Sequence, residues 1–124
     1  MERKMEMTKH SDMVRTLAKK GRDIKEEMTP NNAHLVHMIM GLSGEVGELL
    51  DAIKKAVIYQ KELDVDNVVE EIGDIEFYLE GLRQGLGITR EETLRANIDK
   101  LSVRYRGLKY SDKAAQDRED KKDD

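Results

Sequence analysis

Glu45-Val46-Gly47-Glu48 is echoed 26 positions later by Glu71-Ile72-Gly73-Asp74, and the reading of these two tetrads decides the fold. Each copy is an acid, a β-branched residue, a glycine and an acid. Residues three apart share one face of an α-helix, so each tetrad presents two carboxylates side by side. The midpoint between the tetrads falls near Gln60, inside Tyr59-Gln60-Lys61-Glu62-Leu63-Asp64, the most polar break between two apolar-periodic segments. A chain that folds back there as an antiparallel helical hairpin brings the four carboxylates together. Four facing acids repel unless a cation sits among them. Oxygen ligands without sulfur or imidazole suit a hard ion, Mg²⁺ or Mn²⁺.

Outward from the tetrads, Leu35, Ile39, Leu42, Val46, Leu49, Ile53 and Ala56 recur at steps of four and three, which predicts a helix over 33–58. Val68, Ile72, Ile75, Leu79, Leu82 and Leu86 predict its partner over 65–86, stopped by Gly85-Leu86-Gly87. The acid pairs occupy equivalent flanks of these two stripes, and Gly47 and Gly73 suggest close approach of the helices there. Thr89-Arg90-Glu91-Glu92 reads as a capping box that opens a helix over 90–105 with Leu94, Ile98, Leu101 and Tyr105 buried. Upstream, Met13, Val14, Leu17, Ile24 and Met28 suggest a first helix over 11–28 behind the N-cap Ser11, with Gly21 as a weak interior point. Thr29-Pro30-Asn31-Asn32 reads as a turn in which Asn31 or Asn32 caps the next helix. Met1 to His10 reads as a frayed end.

The reading is therefore an all-α bundle of about four helices in one domain over 1–110, followed by a charged, flexible tail over 111–124. Hydrophobic residues make up 38% of the 124 and charged residues 39%, with one Phe, four Tyr and no Trp. That is little material for a lone core, so a homodimer or homotetramer that buries helix faces between subunits is expected. The absence of Cys excludes disulfides and thiolate metal sites. Apolar runs are too short to span a membrane and the N-terminus lacks the apolar core of a signal peptide, which points to a soluble cytoplasmic protein without a membrane partner. A net charge of −4 and a pI near 5.5 argue against a duplex nucleic-acid binder.

Two tetrads separated by 22 residues, in the contexts Gly44-Glu45-Val46-Gly47-Glu48-Leu49 and Glu70-Glu71-Ile72-Gly73-Asp74-Ile75, are joined by Asn97-Ile98-Asp99-Lys100-Leu101 with Arg104-Tyr105 after it. Over about residues 33 to 110 this pattern resembles the MazG-like all-α nucleoside triphosphate pyrophosphohydrolases, relatives of the dimeric dUTPases. The resemblance implies cleavage of a nucleoside triphosphate between its α and β phosphates, giving a monophosphate and pyrophosphate. Glu45, Glu48, Glu71 and Asp74 would then hold Mg²⁺, one of them taking a proton from the attacking water, while Lys100 and Arg104 meet phosphate oxygens and Asn97 donates a hydrogen bond. A site made of acids binds an anionic triphosphate only through bridging cations, so the chemistry and the resemblance agree.

Lys54 and Lys55 follow the first tetrad within two turns, where they either neutralise it or meet phosphate, and Lys55 joins the substrate-binding candidates. His34 and His37 share the face of Glu45 and Glu48. A rise of about 1.5 Å per residue puts His37 about 12 Å from Glu45, too far for one metal, so His37 is a candidate for lining the pocket near base or sugar. The alternative reading is a non-enzymatic oligomeric helical interaction module whose acids keep it soluble. Metal dependence separates the two.

Overall fold

The computed structural model describes residues 9–105 and 112–117, and every element among them is helical. In chain order these are α1 (His10–Leu17), α2 (Gly21–Glu27), α3 (Pro30–Ile58), α4 (Val65–Leu86), α5 (Arg90–Arg104) and α6 (Asp112–Asp117). The chain divides into two compact units, Met1–Ala33 and His34–Asp124. No helix among the described residues is long and apolar enough to cross a membrane.

In the first unit the single helix expected over 11–28 is two. Ala18 and Lys20 are extended, with ψ of 130° and 135°, and Gly21 opens α2 instead of lying inside a longer helix. Ending α1 early strands carbonyls without amide donors, and the Lys20 ammonium takes one of them, Arg15 O, at 3.0 Å. Lys19 pairs with Glu27 across the break. The cap of α3 also differs from the expectation. Thr29 Oγ1 accepts from Asn32 N–H at 3.0 Å, and Pro30 takes the first helical position, where a missing N–H costs nothing.

In the second unit α3 and α4 form the antiparallel hairpin. Facing positions 34 and 85, 38 and 81, 41 and 78, 45 and 74, and 48 and 71 are all centred between Tyr59 and Gln60. Gln60 is left-handed at φ 54°, which turns the chain out of α3, and Asp64 Oδ1 then caps α4 by accepting from Asn67 N–H at 3.1 Å. The close approach is made by glycines other than those of the tetrads. A methyl at Gly41 would run into the Tyr78 ring, one at Gly81 into Met38, and one at Gly85 into His34 and Leu35. At Gly47 and Gly73 it would meet nothing within 4 Å. His34 Nε2 hydrogen-bonds to Gly81 O at 2.8 Å and fastens the open end of the hairpin.

The sequence stripes run slightly off the packed faces. Leu35, Met38, Leu42, Leu49, Ala52 and Ala56 are buried or half-buried on α3, whereas Ile39, Val46 and Ile53 are exposed. On α4, Val68, Ile75, Tyr78, Leu79 and Leu82 are half-buried while Ile72 and Leu86 are exposed. Each helix thus carries apolar residues on two faces, and only one meets its partner. Met38, at 7% exposure, is the one buried hydrophobic residue among those described.

Gly87, left-handed at φ 68°, closes α4 by donating to Arg83 O and Gln84 O. Thr89 Oγ1 then caps α5 by accepting from Glu92 N–H at 3.1 Å. Arg83 is 9% exposed and is held by Glu80 at 3.0 Å and Glu76 at 3.8 Å. Within the stretch expected to be a flexible tail, residues 112–117 form α6, which packs on α5. Residues 1–8, 106–111 and 118–124, and with them most of the expectations for the frayed end and the tail, lie outside the described residues.

Candidate metal centre

The hairpin register places the first acid of each tetrad on the inward side of its helix. Glu45 and Glu71 are half-buried, and one oxygen of each, Glu45 Oε2 and Glu71 Oε2, is sealed from solvent with no hydrogen-bond donor. One carboxylate oxygen from each of Glu45, Glu71 and Asp74 lies within 4.8 Å of the others. Glu48 stands beside Glu71 but is not among the three whose oxygens come so close.

One oxygen of Glu45 lies within 4.8 Å of one of Glu71, and two negative charges in such contact favour the protonated form of one of them. The Glu71 carboxyl is pushed up from 4.5 to about 7, first by that contact with Glu45, then by loss of solvent, then by Glu48. Glu71 therefore keeps its proton toward neutrality in the metal-free chain. Orphaned buried oxygens within a few ångströms of one another are what a hard divalent cation satisfies, and these donors are all carboxylate. The donor set fits such an ion.

A cleft of about 400 Å³ opens beside the cluster, lined by Gly44, Gly47, Glu48, Asp51, Ala52 and Lys55 of α3 and by Asn67 and Glu71 of α4. Lys55 Nζ lies 2.8 Å from Asp51 Oδ2. That hydrogen bond holds the Asp51 carboxyl below its usual range and raises the Lys55 ammonium above its own. Lys54 is exposed outside this lining.

The other sequence candidates are not among the residues that line this cleft. His37 is exposed one position from the inward-facing Met38, and its neighbour His34 is engaged with Gly81 O. Asn97 and Lys100 are exposed on α5, and Arg104 is half-buried at its end. Asp51 and Asn67 line the cleft without belonging to either tetrad. The four-residue step from Asp51 to Lys55 was the available signal for the first, and no local pattern marks the second.

The chain matches the family model of the MazG nucleotide pyrophosphohydrolase domain over residues 34–108, which takes in both tetrads, the hairpin and α5. No curated protein and no solved structure gives a significant match. The family match spans well over half of the 124 residues and coincides with the helices that carry the acids, so the chain belongs to the MazG nucleotide pyrophosphohydrolase domain family.

Proposed function

We propose that the protein is a divalent-metal-dependent nucleoside triphosphate pyrophosphohydrolase that converts a ribo- or deoxyribonucleoside triphosphate and water to the monophosphate and pyrophosphate. The observation that carries this reading is the convergence of Glu45, Glu71 and Asp74, with two buried oxygens lacking any donor, inside a chain of this family. Glu45, Glu71 and Asp74 would hold Mg²⁺, with Mn²⁺ as a substitute, and Glu48 completes the ring of charge. When bound, the ion offsets the repulsion between acids and triphosphate and lowers the pKa of water near the phosphorus. One of these four carboxylates would accept a proton from that water. Lys100 and Arg104 supply charge-assisted hydrogen bonds to phosphate oxygens, Asn97 adds a neutral donor, and Lys55 meets the phosphates from α3. His37, exposed two turns before the acids, lines the approach of base or sugar.

The same reading includes a homodimer or homotetramer. Val46, Leu50, Ile53 and Val57 of α3 and Val65, Val69, Ile72 and Phe77 of α4 are all exposed, and a second copy that covers them supplies the core one chain lacks. Light scattering at micromolar concentration should give two or four times the 14.3 kDa of one chain. A monomer would remove the assembly.

A non-enzymatic helical module would carry the same exposed faces, and metal linkage separates it from an enzyme. Mg²⁺ or Mn²⁺ together with a nucleoside triphosphate should raise the melting temperature, because ligands that bind only the folded chain stabilise it by mass action. A chain indifferent to both would be a passive bundle.

A further inference from the structure

We propose that the cleft between the end of α4 and the start of α5 is a second binding site, for a small carboxylic acid with an apolar body, held by Arg83 and Arg90. The site shares no residue with the acid cluster or with the cleft beside it, and the inference stands apart from the pyrophosphohydrolase reading.

The cleft has a volume of about 450 Å³. Five aliphatic side chains wall it: Leu79, Leu82 and Leu86 of α4, Ile88 of the turn, and Leu94 of α5. Leu86, Ile88 and Leu94 are exposed, so this apolar surface is open to solvent.

Arg83 gives the cleft its polarity. At 9% exposure it is nine-tenths buried, a position that a cation takes only when it is paired. Its Nε–H donates to Glu80 Oε1 at 3.0 Å, but Glu76 Oε2 lies 3.8 Å from Nη2, beyond hydrogen-bond reach. The terminal N–H groups therefore have no hydrogen-bond acceptor among the described residues, and neither terminal nitrogen is sealed from solvent. The cleft that Arg83 lines is where an acceptor can reach them. With Nε taken, the free edge is the Nη1 and Nη2 pair, whose parallel N–H bonds match the two oxygens of a carboxylate.

Arg90, exposed at the first position of α5, adds a second guanidinium to the lining. Glu76 is the one acid there, so two guanidiniums against one carboxylate leave an excess of one positive charge. The aliphatic walls then favour an anion that brings apolar surface with it. Such an occupant would bridge α4 and α5 across their junction.

Calorimetric titration of the full chain with octanoate tests the site, without divalent metal so that the acid cluster does not recruit the carboxylate. The controls are 1-octanol as body without charge, acetate as head without body, and octylammonium as the opposite charge. Octanoate should bind at least about tenfold more tightly than any of the three. Arg83→Met should weaken octanoate at least about tenfold and leave octanol nearly unchanged. Arg90→Met, at an exposed position, should weaken octanoate about threefold, and it carries the test if Arg83→Met melts below the assay temperature. Leu94→Ser should weaken octanoate and octanol alike. Equal binding of octanoate and octanol, or octanoate binding that is undiminished in the arginine variants, overturns the proposal. So does an absence of octanoate binding, which would leave the cleft to a second copy of the chain.

Discussion

Glu71→Gln isolates the group whose proton links metal, pH and stability. Without metal the Glu71 carboxyl keeps its proton to about pH 7 in the folded chain, against 4.5 for an unperturbed glutamate. Folding therefore favours the protonated acid. The stability it contributes is complete below about pH 4.5 and is lost as pH rises through about 7. Divalent metal binds the deprotonated form, so the proton competes with it. With one proton displaced near pH 7, the apparent dissociation constant should weaken about tenfold at pH 6 and about a hundredfold at pH 5 relative to its plateau above pH 8. Calorimetric titration of Mn²⁺ between pH 5 and 8.5 measures the slope, and metal-free melting over the same range measures the linked stability. Glu71→Gln should abolish both dependences, leaving a flatter metal-free melting profile and weak metal binding at every pH. If the wild-type dissociation constant is unchanged between pH 6 and 8, the account of a raised Glu71 carboxyl is wrong.

Glu48→Gln and Asp74→Asn should each lower turnover by more than about a hundredfold while the fold stays intact or becomes more heat-stable without metal, since each removes one charge from a repelling cluster; full activity in both variants would take the tetrads out of the mechanism. Lys100→Met and Arg104→Met should each lower kcat/KM by at least about tenfold, equivalent to about 1.4 kcal/mol of transition-state stabilisation, and Lys100→Met, at an exposed position, should leave melting unaltered. Unchanged kinetics in both would leave that flank of α5 an ordinary solvated surface. Gly41→Ala should destabilise by about 1–3 kcal/mol, because its methyl meets the Tyr78 ring, whereas Gly73→Ala, with open space around it, should gain up to about 1 kcal/mol. Urea unfolding separates the two, and equal effects would contradict the hairpin packing.

The hairpin was legible because two independent signals coincide: repeated tetrads equidistant from one point, and a polar break at that point. The terminators were legible too, since Gly87 and Thr89 are required by the chemistry of helix ends and need no tertiary partner. The break between α1 and α2 was not, because Met13, Val14, Leu17, Ile24 and Met28 keep helical spacing straight through Ala18 and Lys20. Thr29 was passed over as a cap in favour of the asparagines, although Thr-Pro fits the cap and first position well. The tetrad glycines drew attention away from Gly41, Gly81 and Gly85, whose role depends on which face meets the neighbour. That face is ambiguous in helices apolar on two sides, which is also why Ile39, Val46 and Ile72 were expected inside. Of the candidate site, the convergence of Glu45, Glu71 and Asp74 was legible by repetition. The cleft residues Asp51 and Asn67 acquire meaning only when the helices are brought together.

The central claim, that this acid cluster serves cleavage between the α and β phosphates, is tested most directly by incubating the purified chain with a panel of ribo- and deoxyribonucleoside triphosphates in Mg²⁺ and resolving the products by ion-exchange chromatography. The account predicts monophosphate and pyrophosphate in equal amounts from at least one member, abolished by chelation and by Glu48→Gln. Diphosphate with inorganic phosphate as the products, or no turnover of any triphosphate with metal present, would contradict it.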